Sequence, residues 1–224
     1  NTSKAFLRPV LGRPNLKIVT HALIDKVTLR DRQAQGVAFA LAGVDYVVRA
    51  RIETVLTAGA IGSPAILQRS GIGPAALLQS RGIAVNHALP GVGSNLQDHL
   101  QLRMIYQVQG IKTLNQQANS LWGKAMMGLE YALFRRGPLT MAPSQLGLFT
   151  RSQAHLATPD LEYHVQPLSL DKFGEPLHNF PAFTASVCHL RPASRGYVHI
   201  RDAAPASAPA IAPCYLSHED DRQT

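Results

Sequence analysis

Residues 59–74 read Gly59-Ala60-Ile61-Gly62-Ser63-Pro64-Ala65-Ile66-Leu67-Gln68-Arg69-Ser70-Gly71-Ile72-Gly73-Pro74, and the fold turns on how this stretch is read. Ahead of it, Ile52 to Thr57 forms an apolar, β-branched run that predicts a buried strand ending at Ala58-Gly59. Ser63 is a good helix N-cap and Pro64 suits a first helical position, so a helix is expected from about Pro64 to Arg69, stopping near Gly71. A strand that opens onto a helix N-terminus through glycines lets another group approach the backbone closely. In a nucleotide-binding sheet such a place can line a cofactor, although a helix cap and a tight turn is the plainer reading of the local pattern. A second helix is expected over Ala75 to Ser80, with Gly82 as its C′ glycine, and Pro90, Gly91 and Gly93 mark a loop.

Working outward, residues 15–30 alternate and are rich in β-branched types, which predicts two short strands. Gly36 to Phe39 and Asp45 to Val48 pair as a hairpin around Ala42-Gly43. Beyond residue 98 the composition shifts. Gln101 to Gln109 reads as a strand, and Leu121 to Phe134 places Leu121, Ala125, Met126, Leu129, Ala132 and Leu133 on one helical face, ended by Gly137-Pro138. Leu146 to Arg151, Leu161 to Gln166, Phe183 to Leu190 and Tyr197 to Arg201 read as strands, Asn115 to Ser120 and Ala203 to Pro213 as loops, and Asp220-Asp221-Arg222 as an opening helical turn. The expected division is 1–98 and 99–224. There is no internal repeat and no heptad.

The 224 residues are 46% hydrophobic and 16% charged, which describes a globular chain. No apolar run approaches the roughly 18 residues that span a bilayer. Net charge is +8, but Arg and Lys are scattered, so nucleic-acid binding is not expected. Cys188 and Cys214 are distant from one another and are expected to be thiols. The histidines show no His-x-x-x-His spacing, so no metal site is expected. Asp98-His99 could shuttle a proton, but it reads more simply as structural.

The run from Gly59 to Pro74, followed by Leu89-Pro90-Gly91-Val92-Gly93-Ser94-Asn95-Leu96-Gln97-Asp98-His99, closely resembles the second signature and the next flavin-domain segment of the glucose–methanol–choline (GMC) oxidoreductases. Arg191-Pro192, Ser194-Arg195-Gly196 and Tyr215-Leu216-Ser217 resemble that family's substrate-domain segment. The resemblance implies a mixed α/β (α+β) chain. Its first part belongs to a FAD-binding Rossmann-like domain, and its second to a substrate domain with a mainly antiparallel sheet flanked by helices. It also implies that the pyrophosphate-binding glycine turn precedes Asn1 and that the catalytic histidine follows Thr224, so the chain is expected to be the central piece of a longer enzyme, inactive alone and without tightly held FAD.

What the resemblance implies for function is FAD-dependent oxidation of an alcohol CH–OH group to an aldehyde or ketone, by hydride transfer to the flavin. The substrate partner would be a small alcohol, and the electron acceptor is not readable. Cofactor contacts carry over to Ile24, whose backbone position meets adenine in the family, and to Ala58, Gly59, Ser63 and Asn95. Gln145 and Phe149, within 139–152, fall where the family lines its substrate cavity. Choline-type members tend to carry an acid near the Gln145 position, so this neutral residue points away from choline. A cytoplasmic or peripheral-membrane location in a bacterium is the expectation. The competing reading is a non-catalytic module that binds an apolar ligand or a partner.

Overall fold

Alternating apolar and polar residues between positions 23 and 49 build an antiparallel meander, β1 (Leu23–Arg30), β2 (Gln33–Leu41) and β3 (Val44–Arg49). Both connections are two-residue turns with positive φ at each central residue, Asp31-Arg32 and Ala42-Gly43. That is the hairpin turn whose twist matches the strands it joins. The computed structural model describes residues 1–142, 144–172 and 174–224. Pro143, inside the stretch expected to line a substrate cavity, lies outside the described residues.

Of the two strands expected in residues 15–30, only β1 forms. Residues 52–57 have no ladder partner among the described residues, so the strand expected there is not one. An apolar run supplies the side chains of a strand and not the neighbour whose hydrogen bonds define it. The helix that follows, α1 (Gly59–Arg69), starts earlier than expected, with Ala58 at the N-cap. Gly59 sits at φ +77°, a conformation glycine adopts without strain, so the chain turns into the helix there. Ser63 is therefore not the cap; it falls in the second turn, and Pro64 lies inside the helix with no N–H to give the Ala60 carbonyl. Two-residue strands β4 (Ile72–Gly73) and β5 (His87–Ala88) pair in parallel around α2 (Ala75–Ser80). Strand β6 (Ser94–Leu96) ends this stretch.

Strand β7 (Gln101–Gln107) leads to α3 (Leu114–Asn119) and α4 (Leu121–Phe134). The loop expected at Asn115 to Ser120 is helical for a readable reason. Thr113 and Gln116 form a capping box, the Gln116 Oε1 accepting from the Thr113 N–H at 2.8 Å. Asn115 is fully buried, its amide donating to Ser169 Oγ (2.8 Å) and the Phe180 carbonyl (2.9 Å) while its oxygen accepts from the Ser169 N–H (2.8 Å). Helix α4 has the expected limits, yet none of its residues is buried, and Leu121 and Trp122 are 85% and 75% exposed. Next come β8 (Leu146–Thr150), β9 (Leu161–Gln166) and β10 (Ala182–His189), which join β7 in an antiparallel sheet ordered β7-β10-β9-β8.

The chain ends with β11 (Gly196–His199), β12 (Ala210–Ala212) and α5 (Glu219–Gln223). Strand β11 lies between β12 and β6, so part of the segment read as a loop at 203–213 is paired. Two compact units result, residues 1–96 with 196–213, and residues 97–195 with 214–224. The sequence placed a single cut at residue 98. The units instead interleave, because β11 and β12 return to the first one. Among the described residues, no helix is long and apolar enough to cross a membrane.

Candidate functional site

The end of α1 is clamped to β1 in the first unit. Register slips beside Asp25, and this bulge turns successive carbonyls toward the helix. Arg69 donates from Nε to the Asp25 carbonyl (2.8 Å) and from Nη2 to the Ile24 carbonyl (3.1 Å). Ser70 Oγ accepts from the Val27 N–H (2.9 Å) and donates to the Ile66 carbonyl (2.6 Å). Burial lowers the Arg69 guanidinium and the Asp25 carboxylate opposes that shift.

Against this clamp lies a cavity of about 250 Å³, lined by Ile24, Val37, Ala58, Ile66 and residues 54–57. Its walls are mostly apolar, and the Thr54 hydroxyl, buried there, has no hydrogen-bond partner. The structure thus brings Ile24 and Ala58 together, with Gly59 at the first turn of α1 beside them. A Cβ placed on Gly59 would meet nothing within 4 Å, so the side of the backbone it faces is open. Ser63 is one turn further along α1. Asn95 lies on β6 at φ +63° and does not line this cavity.

Gln68 holds the unit together and is a residue whose role the sequence reading missed. It is 0% exposed. Its Nε2 donates to the carbonyls of Val198 (2.9 Å) and Val92 (3.2 Å), and its Oε1 accepts from the Ile200 N–H (2.9 Å). One amide therefore ties α1 to the loop before β6 and to β11. A polar residue between Leu67 and Arg69 on a helix looks solvent-facing in sequence; only its position behind the apolar Ala65-Ile66 face hints otherwise.

In the second unit, Gln145 leads into β8 and Phe149 lies on it, and both are exposed. The Gln145 N–H donates to the Val165 carbonyl (3.0 Å) and its side-chain amide to Met141 Sδ (3.6 Å). A cavity of about 430 Å³ lies by the opposite face of the sheet, against Leu102, Leu161, Tyr163, Val187 and His189, and neither Gln145 nor Phe149 contributes to it. Asp221 closes one side. Its carboxylate accepts from the N–H groups of Ala193 (2.6 Å) and Ser194 (2.8 Å). Burial alone would raise this carboxyl, but hydrogen bonds from Ser194 and Ala193, with His189 nearby, outweigh it and hold it at about 2. Asp98 accepts from the Tyr215 hydroxyl, which that bond and burial push up, and a His99 ring nitrogen meets the Leu190 carbonyl at 3.2 Å.

On the sheet face that carries Phe149, Glu162, His164 and Cys188 bring an oxygen, a nitrogen and a sulfur within 4.8 Å of one another. Burial, then the Glu162 charge, pushes the Cys188 thiol up. A group assembled across two strands leaves no helical histidine spacing in the sequence.

Comparison with known proteins shows what kind of protein this is. It is a mixed α/β chain, and residues 1–101 match the model of the GMC oxidoreductase family. The chain is 38% identical over 225 residues to an oxygen-dependent choline dehydrogenase of Cronobacter sakazakii, an alignment that covers 100% of this chain and 40% of that protein. A formate oxidase structure superposes with a TM-score of 0.86 over 95% of this chain and 42% of its own, at 22% identity. Pyridoxine 4-oxidase from Mesorbium loti does so with a TM-score of 0.80 over 100% of this chain and 40% of its own, at 25% identity. The chain belongs to the GMC oxidoreductase family. It spans about 40% of the length of the curated relatives it matches.

Proposed function

We propose that this chain supplies the adenine wall of an FAD site, and part of the substrate chamber, in an enzyme that oxidises an alcohol CH–OH group to an aldehyde or ketone. The observation that carries the reading is the cavity shared by Ile24 and Ala58 at the entry to α1, with the orphaned Thr54 hydroxyl in its wall. Apolar walls, one unpaired hydroxyl and nearby backbone edges fit a flat heteroaromatic ring and would not accommodate a bare charge. FAD, when bound, supplies the hydride acceptor. The chain's own residues bind and orient: β1 and the 54–58 segment form the walls, Gly59 leaves the helix entry open, and the Arg69–Ser70 clamp fixes the distance between β1 and α1.

The substrate we assign is a neutral alcohol. A quaternary ammonium group would be favoured by a carboxylate, and Gln145 offers none. The test is an alcohol screen on the protein at its natural length. Neutral primary alcohols are expected to exceed choline in kcat/KM by about tenfold or more, since one desolvated charge contact changes binding by more than about 1.4 kcal/mol. Choline as the best substrate would overturn the specificity assignment. A failure of every alcohol to reduce the flavin would overturn the alcohol oxidation itself.

A further inference from the structure

We infer that Glu162, His164 and Cys188 form a binding site for a single thiophilic divalent cation of the zinc class, with one coordination position left open. This site is independent of the cofactor reading and uses none of its residues.

The placement follows from strand register. Glu162 and His164 are two apart on β9, so both point to one face of the sheet. Cys188 on β10 lies directly opposite Glu162, while His164 lies opposite Ser186, so the thiol emerges on the same face between its two partners. On the far side of β9, Phe149 of β8 stands opposite Glu162 and Gly147 stands opposite His164. The glycine leaves the imidazole without a cross-strand side chain on that flank.

The separations approach those of a tetrahedral ion, one atom from each residue lying within 4.8 Å of the others. His164 Nε2 is 3.5 Å from Glu162 Oε1, and Cys188 Sγ is 3.9 Å from His164 Nε2 and 4.0 Å from Glu162 Oε2. Bond lengths of about 2.0–2.1 Å to nitrogen or oxygen and about 2.3 Å to sulfur place tetrahedral ligands about 3.3–3.6 Å apart. Rotation of the Glu162 carboxyl, with side-chain shifts of up to about an ångström, brings one of its oxygens to both partners. A thiolate and an imidazole with one carboxylate select zinc-like ions over magnesium and calcium, which take all-oxygen sets. Three protein ligands leave the fourth position to water or an exogenous group, whereas purely structural zinc is usually held by four. Cys188 is 3% exposed and stands on β10, which has a hydrogen-bonded neighbour on each side, so the sulfur is rigidly placed.

The experiment uses the protein at its natural length, stripped with a chelator and titrated with Co²⁺ as a spectroscopic probe and with Zn²⁺ in competition with a chromophoric chelator. The expected result is one equivalent bound, with a thiolate-to-cobalt charge-transfer band. Cys188→Ser should abolish that band, and Cys188→Ser and Glu162→Gln should each weaken Zn²⁺ binding by about tenfold or more. Cys214→Ser should change neither. Circular dichroism of each variant establishes that it is folded, and Glu162→Gln, which keeps the side chain's shape, carries the test if Cys188→Ser does not fold. Absence of the cobalt–sulfur band, a Zn²⁺ affinity indifferent to Glu162→Gln, or loss of the band in Cys214→Ser would each overturn the site.

Discussion

Gln68→Leu is expected to lower the stability of the first unit by about 3–6 kcal/mol, since each buried backbone group left without a partner costs about 1–3 kcal/mol. Leucine fills nearly the same volume, so the loss is not one of packing. It strips the Val92 and Val198 carbonyls and the Ile200 N–H of a shared partner, in a place where Gln68, Val198 and Ile200 exclude water. The consequence reaches the candidate site. Helix α1 carries Ala58 and Gly59 at one end and Gln68 near the other, so releasing Gln68 frees the helix that sets the cavity wall. Denaturant unfolding measures the effect, with flavin content as a parallel readout. A change smaller than about 1 kcal/mol would mean that water takes over the three bonds, because a water needs only two to four polar partners and a little room.

The second large effect is expected from Gly93→Ala. Gly93 sits at φ +81°, and a Cβ there would lie 2.2 Å from the Val198 carbonyl oxygen and 2.3 Å from Gln68 Nε2. The first of these atoms is backbone of β11 and cannot swing aside. Left-handed strain and overpacking together are expected to destabilise the protein by about 3–5 kcal/mol. Gly82→Ala separates the two causes, because Gly82 has φ +70° with nothing within 4 Å of its Cβ position. That control is expected to lose only about 1 kcal/mol. Gly93→Ala and Gln68→Leu should not add in the double variant, since each removes the same contact between β11 and α1. Equal losses in Gly93→Ala and Gly82→Ala would show that crowding at β11 plays no part.

How much of this could be read from the chain depends on the range of the interaction that decides each element. Helix α4 declares itself by a 3.6-residue apolar stripe and a glycine stop, and its limits were legible. Strand β9 was legible too, and the β2–β3 turn at Ala42-Gly43 is local chemistry. Residues 52–57 misread because a strand needs a neighbour that composition does not name. The helix start misread because Ser63-Pro64 is a strong local signal that the turn at Gly59 overrides. Residues 196–213 read as the sequel to the second unit, but the pairing of β11 with β6 spans a hundred residues, and nothing in either segment announces the other.

The candidate site was legible in a similar pattern. Ile24 and Ala58 carried over from the resemblance and line one cavity, whereas Asn95 lies elsewhere in the unit. Gln68 was invisible in its role because its three partners lie 24 to 132 positions away. The Glu162–His164–Cys188 group was invisible because it exists only once β9 and β10 are in register.

The most direct test of the account is an FAD titration of the protein at its natural length with the Ile24–Ala58 cavity filled from either wall. Ala58→Leu and Val37→Phe each place a larger side chain into that space. If the cavity takes the adenine, both folded variants should bind FAD about tenfold or more weakly, a loss of at least about 1.4 kcal/mol, with unchanged unfolding behaviour in the absence of flavin. FAD bound as tightly by both variants as by the unmodified protein would contradict the central claim and place the adenine elsewhere.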